Sequence, residues 1–202
     1  MGIAKEGRVV VYVNDKRIEL RCTPNKLKEL AAGVAATMFG LSEIVDLSVN
    51  GNNARIVAKK SEKSEKKKQE FKVSISELKN KLKVLDIEEY RKTRGYHVSA
   101  IVKGDKIISL SYDVSRHACL AKAVGSTILE KKSLEKCYIV FSGRISSSIV
   151  EMCDKAGLSL IVSKAAIFDS AIELCIKLGV TAVSFASGVV VGSNVLMDIQ
   201  HD

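Results

Sequence analysis

Apolar runs and helical repeats alternate along the whole chain. Residues 8–13 and 17–22 are short apolar-rich runs around Asn14-Asp15 and predict a strand hairpin. Leu27, Leu30, Ala31, Val34 and Met38 then recur at helical spacing, with Thr23 expected as N-cap, Pro24 as first helical residue and Gly40 as terminator. Residues 44–49 and 54–58 predict a second hairpin around Asn50-Gly51. Residues 59–68 carry dense charge and no apolar side chain, the pattern of an exposed linker.

Past the linker, residues 73–84 predict an amphipathic helix with Leu78, Leu82 and Leu85 on one face and Ser74 or Ser76 as cap. Residues 96–102 and 106–112 predict a hairpin at Gly104-Asp105, and 115–129 a helix. A strand–helix unit then repeats: strands at 138–141, 159–162 and 182–185, helices at 145–156 and 168–178, with an offset of about 21 residues. Such alternation predicts parallel neighbours and right-handed crossovers. The expected organisation is a small N-terminal α+β lobe (1–58), a charged linker (59–72) and an α/β domain (73–202) whose mixed sheet has helices on both faces.

Ligands of such sheets bind beyond the carboxyl ends of the strands. Ser142-Gly143-Arg144, Ser163-Lys164 and Ala186-Ser187-Gly188 all fall there. A free helix start offers unpaired N–H groups and the positive dipole end. Ser142, Ser146 and Ser163 suit helix capping as well as ligand binding. Arg144 and Lys164 are not needed for capping, and at a helix start a cation is disfavoured unless an anion joins it. Arg116 and His117 open the helix at 115–129 against the dipole in the same way. Gly143 allows a close backbone approach. His97, one of three histidines, is expected to form a wall of the site. The binding reading is placed ahead of plain capping.

A net charge of +9 attracts polyanions, nucleotides or an anionic cofactor. Five Phe, five Tyr and no Trp exclude an aromatic platform for single-stranded nucleic acid, so no specific nucleic-acid partner is expected. No apolar run reaches the roughly 20 residues of a bilayer span and the start is not a signal peptide, so a cytoplasmic protein without a membrane partner is expected. The five cysteines show no zinc-site spacing, and no metal is expected. Cys153 and Cys175 sit on apolar helix faces. Cys119, near a helix start that favours a thiolate, is the one cysteine with a reactive setting, with Cys22 next, and the packing reading is placed ahead for it.

Several motifs appear in one order. Cys22-Thr23-Pro24 precedes Leu27, Leu30 and Gly33; Gly95-Tyr96-His97-Val98-Ser99-Ala100 follows. Asp113-Val114-Ser115-Arg116-His117 comes with Lys122 and Gly125, then Ser142-Gly143-Arg144-Ile145-Ser146-Ser147, and Val162-Ser163-Lys164-Ala165-Ala166 closes the set. On these residues the chain resembles the formate dehydrogenase accessory sulfurtransferase (FdhD) family across residues 8–185. The resemblance implies a cytidine-deaminase-like α/β fold and a homodimer. It also implies passage of sulfur from a cysteine desulfurase to the molybdenum cofactor of formate dehydrogenase. That cofactor, a bis-molybdopterin guanine dinucleotide, brings phosphates and guanine, and a GDP-like nucleotide shares that chemistry.

This chain departs from the family at its sulfur-carrying C-x-x-C loop, because residues 59–70 hold no cysteine. A persulfide relay needs a thiolate. Zinc deaminase chemistry is excluded on ligand count, since His97-Val98-Ser99 lacks the glutamate and no P-C-x-x-C follows. The expectation is an accessory protein for a molybdo- or tungsto-enzyme that binds the guanine dinucleotide cofactor without the usual persulfide cysteines. The alternative is an adaptor docking on the apo-enzyme or desulfurase. A third reading is general polyanion binding through residues 59–68.

Overall fold

The computed structural model describes residues 2–61, 71–192 and 195–196. Residues 62–70, the larger part of the charged run read as a linker, lie outside them. A two-residue turn joins β1 (Gly7–Val13) and β2 (Lys16–Cys22) into the first expected hairpin. After α1 (Leu27–Phe39), β3 (Glu43–Asn50) and β4 (Asn53–Lys59) form the second. β4 lies parallel to β1, which gives a four-stranded sheet in the order β2-β1-β4-β3. β5 (Phe71–Lys72) pairs with β12 (Val195–Leu196).

α2 (Ile75–Lys81) is closed at its start by a capping box between Ser74 and Glu77, and runs into a 3₁₀ turn at Leu82–Leu85. A short helix, α3 (Glu88–Thr93), was not foreseen; none of its residues is fully buried, so no apolar periodicity marks it. β6 (His97–Lys103) and β7 (Lys106–Asp113) form the third hairpin. α4 (Arg116–Leu129), β8 (Cys137–Phe141), α5 (Ser147–Lys155), β9 (Leu160–Ser163), α6 (Asp169–Leu178), β10 (Thr181–Ser184) and β11 (Val189–Val191) follow. The larger sheet has the order β11-β10-β9-β8-β6-β7. Its three central strands β8, β9 and β10 are parallel and buried throughout, as strands covered on both faces must be.

Helices cover both faces of that sheet. On one face Val98, Ala100, Val140 and Val162 pack with Leu78 and Leu85. On the other, Ile101, Ile139, Phe141 and Ile161 pack with α4, α5 and α6. α1 belongs to this second core. Every residue from Leu30 to Thr37 is buried, because the helix lies between the smaller sheet on one side and α4 and α5 on the other. The α1–α4 crossing is close: a Cβ on Gly33 would stand 1.7 Å from the Ala121 carbonyl oxygen, and one on Gly125 1.9 Å from that of Glu29.

The start of α1 differs from the sequence reading by three residues. α1 starts at Leu27, not at Pro24, and its N-cap Lys26 is left-handed (φ 48°) with no side-chain cap. The reason is tertiary. Thr23 spends its polar groups elsewhere: its N–H donates to both Asp113 carboxylate oxygens (3.1 and 3.2 Å), its hydroxyl accepts from Val114 N–H (3.3 Å), and its carbonyl accepts from Lys122 Nζ (2.8 Å).

Candidate functional site

The parallel strands β8, β9 and β10 end on one edge of the larger sheet, and there the chain turns three times through short polar side chains. Those side chains first hold the turns. The Ser142 hydroxyl accepts from Val98 N–H (2.8 Å), and the Ser163 hydroxyl donates to the Gly143 carbonyl (2.7 Å). Ala165 N–H returns to Ser163 Oγ (3.0 Å), and Ser184 Oγ donates to the Ala165 carbonyl (2.7 Å). Ser163 is fully buried, and Ser146, nearly so, makes no side-chain cap to α5. Its hydroxyl lies 3.0 Å from Ser148 Oγ instead. Of the sequence-predicted serines, Ser142 and Ser163 therefore act as scaffold for the edge.

β6 runs antiparallel to β8, so its first residue, His97, comes to this same edge opposite Asp113, the last residue of β7. The His97 ring lies 6.4 Å from that of Phe141, with Nδ1 in a long 3.5 Å contact to Ser142 Oγ. Arg116 and His117 enter directly after β7, at the start of α4, with Ser115 as N-cap. His117 Nε2 meets Ser148 Oγ at 2.8 Å, which ties the start of α4 to the start of α5. Gly143 leaves room for Phe141 and Arg116: a Cβ there would stand 2.5 Å from Phe141 Cζ and 3.3 Å from Arg116 Cβ.

Arg116, Arg144 and Lys164 converge electrostatically on one imidazole. Burial, then the Arg116 charge, hold the His97 pKa below its ordinary value; Asp113 opposes them, and Arg144 and Lys164 add to the lowering. Burial and Arg116 depress His117 likewise. Both rings are thus held toward the neutral form. Among the described residues no carboxylate pairs with Arg116, Arg144 or Lys164, and Arg116 Nε is buried without a hydrogen-bond partner. Aromatic faces carry the two exposed cations: Arg144 lies 5.3 Å above the Phe168 ring and Lys164 4.6 Å above Tyr90. Tyr90 also takes Arg94, at 5.2 Å.

Beneath the cations lies an ion pair that the sequence reading did not place in the site. Lys122 and Asp113 are both fully buried, 2.5 Å apart. Lys122 Nζ also donates to the Thr23 carbonyl (2.8 Å) and to Asn25 Oδ1 (2.7 Å), so all three of its protons are used. Asp113 accepts from Ser115 N–H (2.7 Å) as well as from Thr23 N–H. The pair clamps the turn that aims Arg116 and His117. Asp113 and Lys122 lie nine positions apart, a spacing with no local signature, so only the folded chain shows them as partners. Tyr90 escaped notice because α3 did.

The cysteines are packed, and the reactive setting of Cys119 is not realised. Cys119 does sit in the first turn of α4, but it is fully buried, bonded to Ser99 Oγ (3.1 Å) and to the Ser111 carbonyl (3.4 Å). Burial pushes its pKa up to about 12, which overrides the helix dipole. Cys22 and Cys175 are raised to about 11, and Cys137 and Cys153 are raised too, in each case first by burial. All five thiols are buried.

The fold and this edge define a mixed α/β protein with an unpaired cationic cluster beyond parallel strands. The FdhD/NarQ family model matches residues 45–192. "Protein FdhD" of Methanocaldococcus jannaschii is 31% identical over 194 residues, covering 91% of this chain and 84% of that one. The chain belongs to the FdhD/NarQ family. "Sulfur carrier protein FdhD" of Bacillus subtilis is 35% identical over 96 residues, 48% of this chain and 37% of its own length. A crystal structure from Desulfotalea psychrophila, described as a formate dehydrogenase accessory protein, has the same fold: TM-score 0.80 over 96% of this chain and 90% of that one, at 19% identity.

Proposed function

We propose that the cationic strand edge binds the phosphates of a guanine dinucleotide, the molybdopterin cofactor that is cargo in the maturation of a formate dehydrogenase-like enzyme. The observation that carries this reading is that the charges of Arg116, Arg144 and Lys164 all act on His97, while among the described residues none of the three is paired with a carboxylate. Three cations crowded around a half-buried imidazole repel one another, and a phosphate among them turns that repulsion into attraction. Arg116 Nε is a buried donor with its bond still to make. Arg144 and Arg116 supply planar forks suited to phosphate oxygens, Lys164 a point charge, and Gly143 the open approach. The ligand supplies the counter-charge that no ion pair among the described residues provides.

This reading gives the chain the role of holding cofactor for a partner apo-enzyme, and assigns no persulfide to its own cysteines. Five buried thiols with raised pKa values support that division, since the thiolate is the form that takes up sulfur. The relative named a sulfur carrier in Bacillus subtilis aligns over 48% of this chain. A cysteine desulfurase belongs to the reading only if a partner supplies the thiol.

GDP is the simplest probe. At a concentration one hundred times its Kd it stabilises the protein by about 2.7 kcal/mol, a rise in Tm of roughly 5–10 °C for a chain of this size. Arg144→Ala abolishes the rise. Absence of a shift with every guanine nucleotide tested overturns the reading.

A further inference from the structure

We propose that the free edge of β2 is a docking site for an extended acidic peptide, which adds to the four-stranded sheet as a fifth strand. The proposal does not rest on the reading of the cationic strand edge, although Ser115 and His117 of that edge also line the cleft it uses. β2 is the outermost strand of its sheet. Val10 N–H donates to the Asn52 carbonyl and Asn14 N–H to that of Ile56, both across to the β4 side of β1. Backbone groups alternate sides along a strand, so Val9, Val11 and Val13 turn theirs to β2. Their partners Leu20, Ile18 and Lys16 complete that ladder. The remaining residues, Arg17, Glu19 and Arg21, point their N–H and C=O groups away from the sheet, and among the described residues no backbone group meets them.

A cleft of about 570 Å³ runs along this edge. Glu19, Leu20 and Arg21 all line it. Successive side chains of a strand point to opposite faces, so three consecutive residues border one cavity where it follows the strand's edge. The facing wall is one stripe of α5, with Ser148, Glu151, Met152 and Lys155 at helical spacing. The cleft is therefore shaped for a strand, with open ladder groups on one side and a helix on the other, the arrangement in which peptides bind by strand addition.

Charge selects the occupant. Glu19 is already shared by Arg8 at 2.6 Å and Arg17 at 2.9 Å. Among the described residues Arg21 and Lys155 have no carboxylate partner, and both are exposed. The lining itself balances Glu19 and Glu151 against Arg21 and Lys155; with Arg8 and Arg17 bound to Glu19, the whole cluster holds four cations to two carboxylates and is net positive. Leu20 and Met38 give apolar contact between the charges. A segment alternating apolar and acidic residues satisfies both demands.

The probe is a short blocked peptide alternating valine and glutamate, labelled for fluorescence anisotropy against the full-length protein. It binds, and the valine–lysine counterpart does not. Arg21→Ala and Lys155→Ala each weaken it roughly threefold, as expected for a partly exposed ion pair. N-methylation of one alternating set of peptide residues abolishes binding, and methylation of the other set leaves it intact, because only one set faces β2. Arg21→Pro deletes one outward N–H at a position where an edge strand tolerates proline, and removes binding while its melting curve still reports a folded protein. No binding by the wild type, equal binding of both peptides, or equal effects of the two methylation sets overturns the proposal. A dimer in sedimentation that Arg21→Pro splits also overturns it, since a second copy then fills the edge.

Discussion

Lys122→Met is the sharpest single test of how the site is held. Methionine keeps the length of the aliphatic stem and removes the ammonium. Three hydrogen bonds go with it, to Thr23 O, Asn25 Oδ1 and Asp113 Oδ2, and the Asp113 carboxylate stays fully buried without its counter-charge. Removing one partner of a buried pair costs about 3–5 kcal/mol. Asp113 keeps its bonds from Thr23 and Ser115 N–H, which places the cost at the lower end, about 3 kcal/mol. For a chain of this length that lowers Tm by roughly 6–12 °C. Adding Asp113→Asn removes the orphaned charge and keeps an acceptor for Ser115 N–H, so the double variant is less destabilised than the two single effects summed. Differential scanning calorimetry on the four proteins measures this. The GDP-induced shift of Lys122→Met also falls below wild type at temperatures where the variant is folded, because the turn that carries Arg116 and His117 has lost its clamp. A Lys122→Met protein that melts within about 1 °C of wild type, or a strictly additive cycle, refutes the reasoning.

Three further outcomes follow from the same geometry. Gly33→Ala drives a methyl into the Ala121 carbonyl (1.7 Å before relaxation), so α1 and α4 part and the protein is lost to the insoluble fraction or melts well below wild type; wild-type stability contradicts the close crossing. The pKa values of His97 and His117 are lowered in the folded protein from an ordinary 6.5, so below about pH 6.5 the unfolded chain takes up protons that the native one refuses. Stability therefore falls as pH drops from about 6.5 toward the depressed native values, and GDP, whose phosphates favour both imidazolium forms, binds more tightly over that window; calorimetry in buffers of different ionisation heat shows proton uptake, and its absence contradicts the placement. Native protein reacts with none of its five cysteines under Ellman's reagent near neutral pH and with all five in guanidinium; fast labelling of any one in the native state overturns their assignment as packing residues.

Most elements and their order are legible in the chain because each carries a local signal, while the short α3, β5, β11 and β12 carry none. The β8-α5-β9-α6-β10 repeat shows in the spacing of apolar runs, the α2 cap in Ser74 and Glu77, and the end of α1 in Gly40. The cations at this edge are legible too: Arg116 opens α4, and Arg144 and Lys164 follow the ends of β8 and β9. What the chain did not disclose depends on residues far apart. Thr23 looked like a helix cap and is instead held by Asp113 and Lys122, about 90 and 99 positions away. The helix start that gives Cys119 a reactive setting is local, while the burial that raises its pKa comes from β6 and β7 closing over it. The open edge of β2 could not be read from residues 16–22, because the hydrogen-bond direction of a strand is set by its neighbours and not by its own side chains. Local sequence determined which segments become strands and helices and which cations sit at their ends. Only the tertiary structure decided which of those groups meet, which lose water, and which edge stays unpaired, because burial and partner choice are properties of packing between distant segments.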